Sequence, residues 1–175
     1  STAVLAGNSL LTLAFEILSD KILNINDKKK NLLINSISKC SGHEGVAGGQ
    51  FSDLNFEKKK IPLNKIIDMQ IKKTGKLFNF CLQSAAIIGN KNDKEKTTYG
   101  KLGEEIGLLF QLADDFLDVK GSKKLVGKPI KKDKKKGKST LINLLGYKKA
   151  NNYADKLKKK ILLKFKKHGK DAEYI

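Results

Sequence analysis

Residues 110–121 read FQLADDFLDVKG. Three aspartates, Asp114, Asp115 and Asp118, interrupt a run that is otherwise mostly apolar. Residues three and four apart share a helix face, so Gln111, Asp114 or Asp115, and Asp118 form one polar stripe. Leu108, Leu109, Leu112, Phe116 and Leu117 occupy most of the remaining surface. Like charges at this spacing weaken a helix by about 0.2–0.5 kcal/mol a pair. Burying an unpaired carboxylate costs several kcal/mol more. The stripe therefore faces water or holds a cation, and the apolar flanks favour the cation. No histidine or cysteine accompanies the oxygens, which selects a hard ion, Mg²⁺ in particular. Mg²⁺ keeps water ligands and bridges one or two carboxylates to substrate phosphates.

The neighbouring segments suit such a substrate. Downstream, VGKPIKKDKKKGKST supplies Lys128, Asp133 and Lys138 in a lysine-rich loop whose ammonium groups can reach phosphates on the metal. Upstream, Lys73, Thr74 and Gly75 lie in IKKTGKLF, inside a long helical pattern. That helix is expected from Pro62, which suits a first turn, to about Ile88, with Gly89 and Asn90 as the stop. Further helices are expected over 1–20 (apolar all round, hence buried), 31–40, about 98–119 and about 147–168, with a loop over 120–137. The glycines of 45–49 lower helix propensity and imply close packing or ligand approach. No repeat or linker divides the chain, so residues 1–175 read as a single all-α domain.

Composition narrows the function classes. All 36 basic residues are lysine and the formal charge is +18. Residues 1–120 carry 17 Lys against 14 Asp or Glu; residues 121–175 carry 19 against 4. A basic second half suits an anionic partner. Arginine, the better reader of bases, is absent, and aromatics are not interleaved with the lysines, so no nucleic-acid partner is expected. No apolar run approaches the roughly 20 residues of a membrane span, so no stable membrane insertion is expected. No signal peptide pattern is visible, and a cytoplasmic location is expected. Cys40 and Cys81, in apolar segments without a CxxC pair, are expected to be reduced core residues. His43 and His168 are isolated, so a zinc site is not expected. The only methionine is Met69, and the chain reads as a processed or partial one.

The segments AVLAGNSLLTLAFEIL, GGQFSDL, KKTGKLF, GLLFQLADDFLDV and LVGKPIKKDKKKGKSTL together resemble the C-terminal portion of the trans-isoprenyl diphosphate synthases, the farnesyl and geranylgeranyl diphosphate synthase family. The likeness covers residues 1 to about 165. It implies an antiparallel helix bundle of the isoprenoid synthase type around an apolar cavity, normally a homodimer. It implies a Mg²⁺-dependent prenyltransferase that condenses an allylic diphosphate with isopentenyl diphosphate. By the same resemblance Asp114, Asp115 and Asp118 hold Mg²⁺, with Asp133 supporting the metal cluster through water. Lys73, Lys128 and Lys138 contact the allylic diphosphate. Thr74 and Gln111 lie near the allylic cation, and Gln50 and Asp53 belong to a segment lining the cavity. Phe78, Leu82 and Phe110 are candidates for its wall or for plain core. The family's first aspartate-rich motif and arginine set are not found in the chain, and Lys131 stands where the family usually has glycine. The chain alone is therefore expected to be inactive. A non-catalytic helical subunit of a full-length synthase is the alternative. A class I terpene cyclase would share the cation chemistry, but such proteins usually lack the Lys-Thr segment and the later lysines.

Overall fold

The computed structural model describes residues 1–120, 140–166 and 169, with Lys120 described in its backbone only. Eight α-helices and one π turn occur among them, with no strand. They are α1 (Thr2–Ser19), α2 (Asp27–Ser41), α3 (Val46–Phe56), α4 (Leu63–Gln70), the π turn (Ile71–Gly75), α5 (Lys76–Ile88), α6 (Asp93–Lys120), α7 (Leu141–Leu145) and α8 (Tyr147–Phe165).

Local chemistry sets the ends. The Asn26 side chain accepts from the Lys29 amide at 2.9 Å, starting α2 four residues before the expected position. Asn92 and Glu95 form a reciprocal capping box, with bonds of 2.9 and 3.1 Å, which starts α6 at Asp93 instead of 98. At the end of α5, Asn90 takes a φ of 56°, its amide bonds to Ile87 O, and the Lys91 amide bonds to Ala86 O. That is a Schellman ending, with Asn in the left-handed position. Pro62 precedes the first turn of α4 instead of lying within it.

α5 and α6 run antiparallel with very little space between them. An added Cβ at Gly103 would lie 2.3 Å from Phe78 O, and one at Gly107 would lie 2.6 Å from the Gly75 Cα. Real side chains cannot approach so closely, so glycine is what lets these backbones meet. The core lies around α6: Leu102, Leu108 and Leu112 pack with Ile66 and Met69 of α4, Leu141 of α7, and Leu157 and Ile161 of α8. Lys160 and Lys164 of α8 clamp the Glu105 carboxylate of α6 at 2.8 and 2.7 Å. Burial acts against the charged form of Glu105. The two lysine bonds outweigh it and hold the carboxyl below its ordinary value.

Three expectations need correction. The single helix over 62–88 is interrupted by the π turn, which periodicity does not reveal. Cys81 is exposed, while Cys40 is buried as expected, with its thiol pushed up by that burial. α1 contains no buried residue: Val4, Leu5, Leu10, Leu13 and Ile17 all stand open. The expectation of a buried helix rested on its apolar surface, but it packs mainly along α2 and its other sides have no cover among the described residues. At 18 residues α1 is also long and apolar enough, by length and composition, to cross a membrane. Its scattered polar residues break the run, so that no unbroken apolar stretch marks it in the sequence.

Candidate active site

The π turn is the centre of the site. A π turn places one more residue in the turn than an α-helix does, and such turns cluster at functional positions. Here Lys73 and Thr74 project from it in succession. α3 reaches its backbone through Gly49, where a Cβ would lie 2.2 Å from the Lys73 amide nitrogen. This approach brings Asp53 of α3 to Lys73, with Nζ 2.5 Å from Oδ2. Asp53 is buried, and Lys73 keeps about a quarter of its side chain exposed. A lysine ammonium has three protons, so the pair fixes the nitrogen and leaves donors for another anion.

On the other side of the turn, the Thr74 hydroxyl donates to Gln111 Oε1 at 2.9 Å. The Gln111 amide nitrogen donates to Asp115 Oδ1 at 2.9 Å. The amide nitrogen of Gln70, at the end of α4, donates to Asp115 Oδ2 at 3.2 Å. Three elements are thus joined by one hydrogen-bonded chain. Asp115 is buried, with an amide on each oxygen. Asp114 is half-buried and Asp118 buried, one helical turn apart on one face.

The structure therefore gathers Lys73, Thr74, Gln111, Asp114, Asp115 and Asp118 around two neighbouring helices. Asp115 carries an amide on each oxygen, and Asp114 and Asp118 lie one turn away from each other on one face of α6. No group of three or more His, Cys, Asp or Glu among the described residues is arranged to hold a metal. Two carboxylates are what Mg²⁺ commonly takes from a protein when phosphate and water supply the rest. Asp114 and Asp118, all-oxygen and on one face, fit that need. Lys128, Asp133 and Lys138, with Lys131 and His168, lie outside the described residues. His43 is exposed, with Glu44 3.7 Å away. Gln50 is exposed. Phe78 and Phe110 pair with ring centroids 5.5 Å apart beside Thr74 and Gln111, and Phe110 stays exposed. Leu82 packs against the core instead.

One pairing and one residue are not evident from the sequence. The bond of Lys73 to Asp53 has no local signal, because it depends on a contact between α3 and the turn. Gln70 was missed, although an uncharged polar residue among Ile66, Ile67 and Met69 was a visible irregularity.

The chain matches the polyprenyl synthetase family model over residues 1–175. It is 41% identical over 146 residues to farnesyl diphosphate synthase of Micrococcus luteus, covering 83% of this chain and 50% of that protein. It is 38% identical over 156 residues to farnesyl diphosphate synthase of Escherichia coli K12, covering 88% and 52%. A solved geranyltransferase of Helicobacter pylori, complexed with magnesium and isoprenyl diphosphate, superposes with a TM-score of 0.82 at 33% identity, covering 92% and 52%. The chain spans about half the length of these relatives. The all-α bundle is that of the isoprenoid synthases, and the chain belongs to the polyprenyl synthetase family.

Proposed function

We propose that this chain carries the allylic-diphosphate side of a Mg²⁺-dependent prenyltransferase, which joins an allylic diphosphate to isopentenyl diphosphate and yields a longer trans-prenyl diphosphate. The observation that carries the reading is the Thr74–Gln111 bond, made directly beside the Asp114 and Asp118 face. It sets two neutral oxygens next to two carboxylates and a lysine, which suits a substrate with an anionic head and a carbon that becomes cationic.

In this reading Asp114 and Asp118 would hold Mg²⁺, with Asp133 in support, and the ion would supply positive charge to the diphosphate oxygens. Lys73, oriented by Asp53, donates to the same oxygens, and Lys128 and Lys138 are assigned to them as well. As the carbon–oxygen bond breaks, the electron pair leaves with the diphosphate and an allylic cation remains. The Thr74 and Gln111 oxygens present partial negative charge to it without attacking it. Phe78 and Phe110 border the prenyl chain and keep water from the cation. The double bond of isopentenyl diphosphate then forms the new carbon–carbon bond, and the adduct gives up a proton to the released diphosphate. The chain contains no arginine. No site for isopentenyl diphosphate is assigned within this chain, and the chain alone is assigned to binding without turnover. A homodimer, implied by the family, belongs to the same proposal and is tested by sedimentation.

Calorimetry with MgCl₂ and an allylic diphosphate tests the binding half. Wild type should bind only with Mg²⁺, and Asp114→Asn should not bind. Equal binding by the variant removes the role of Asp114. Incubation with labelled isopentenyl diphosphate tests turnover, and prenyl product from this chain would overturn the assignment of binding alone. The second reading, a helical subunit of another synthase, is favoured by the open apolar surface of α1. It predicts no Mg²⁺-dependent diphosphate binding and raised turnover of an added full-length synthase.

A further inference from the structure

We propose that the outward face of α8 is a docking surface for an anionic lipid bilayer, on which the chain adsorbs reversibly without inserting.

The buried residues of α8, Ala150, Leu157 and Ile161, lie on one side of it. With 3.6 residues per turn, the opposite side is centred on Lys148, Lys159 and Lys166, with Lys149, Lys156 and Lys158 at its margins. All six are exposed, and none has an ion-pair or hydrogen-bond partner among the described residues. The one acid of this face, Asp155, accepts from the Asn151 amide at 3.0 Å. The remaining lysines of the helix, Lys160 and Lys164, turn inward to Glu105. α8 thus sorts its cations: two answer an acid of the bundle, and six point outward unanswered along about 27 Å. Their mutual repulsion does nothing for the helix, and a negative surface outside the chain would turn it into attraction.

Two leucines stand among these charges. Leu162 is 47% and Leu163 64% exposed. Each lies one turn from Lys158 or Lys159 on one side and from Lys166 on the other. Leucines ringed by ammonium groups suit the boundary between headgroups and acyl chains. There the leucines enter the apolar layer while the lysine stems reach back to the phosphates. α1 is the contrast: it is apolar and exposed but holds no lysine, so nothing in it selects a negative surface. Nucleic acid would meet the same charge and gain little else. The face has no arginine to fork onto phosphates or bases, and no ring on which a base could stack. Tyr147, at the start of α8, is packed against Phe116 with ring centroids 5.1 Å apart.

The test is flotation with vesicles of phosphatidylcholine, with or without an equal part of phosphatidylglycerol, at about 0.15 M salt, where charges are screened beyond about 8 Å. Wild type should float only with phosphatidylglycerol. A lysine near such a surface is worth about fivefold, so Lys148→Gln/Lys159→Gln/Lys166→Gln should bind about a hundredfold more weakly. Lys28→Gln/Lys39→Gln/Lys94→Gln removes the same charge outside α8 and should stay within about threefold of wild type. Leu162→Ala/Leu163→Ala should bind about tenfold more weakly. All three variants should melt with wild type, because every altered side chain is exposed. Failure of wild type to float overturns the proposal. So does equal weakening by the two lysine variants, since net charge alone then explains the binding. Unchanged binding by the leucine variant overturns the lipid assignment. Poly(U) RNA that strips wild type from the vesicles at matched charge overturns it too, and gives the face to nucleic acid. No residue of the diphosphate site is altered, so the outcome is independent of that reading.

Discussion

Gly103 and Gly7 are both helical glycines, in α6 and α1, and their surroundings are opposite. A Cβ at Gly103 would meet the backbone of α5 at 2.3 Å, and one at Gly7 would meet nothing within 4 Å. The contrast extends to whole helices. α6 buries Leu102, Leu108 and Leu112 and holds its polar residues in bonded networks. α1 is the more apolar of the two in sequence and buries nothing. Apolar composition makes a helix available for burial; whether it is buried depends on a second surface shaped to meet it. In the seam between α5 and α6 that surface is backbone, admitted by glycine.

The comparison breaks if the two regions respond alike to substitution. The largest effect is expected at the core end. Leu112→Ala, at a fully buried site, should cost about 2–5 kcal/mol in urea unfolding. A cost near zero would mean that the core around α6 is loosely packed. Gly103→Ala should cost about 1–3 kcal/mol, because the backbone it meets cannot yield as a side chain can. Glu105→Gln should cost about 1 kcal/mol near neutral pH, measured as a shift in urea midpoint. The folded carboxyl of Glu105 lies below its ordinary value, so its contribution is present above that value and fades as pH falls through the folded one. Wild type and variant should therefore converge in acid, and a constant difference at every pH would remove the electrostatic account. Gly7→Ala should have the opposite sign, stabilising by up to about 1 kcal/mol through helix propensity alone. Leu10→Asn should change stability by less than about 0.5 kcal/mol. A large loss at Leu10 would show that α1 is covered after all.

Much of the site was legible because it is built on helical periodicity. Asp114 and Asp118 share a face whatever else the chain does, and Gln111 lies one turn before them. The helical class followed from the same pattern, and the stop at Asn90 from a local rule. The failures have another origin. The bond between Lys73 and Asp53 depends on how closely α3 approaches the turn, and the exposure of α1 depends on what is beside it. Neither is encoded within a window of a few residues. The early start of α6 was available, since Asn92 and Glu95 have capping-box spacing. Gln70 was available only as an anomaly, a polar residue on an apolar face.

The π turn has a consequence for how this chain can change length. A π turn carries one residue more than the α-helical turn it replaces, so losing one residue within Ile71–Gly75 would let the segment close into ordinary α-helix with the helices on either side kept nearly in register. The change would fall on the turn itself. Lys73 and Thr74 share the widened segment, and after the loss they could not both keep their directions toward Asp53 and Gln111. A single-codon deletion here would thus spare the bundle and dismantle the site. The segment is fixed in length more strictly than in composition, and natural variants that shorten it should be absent even where neighbouring loops vary freely.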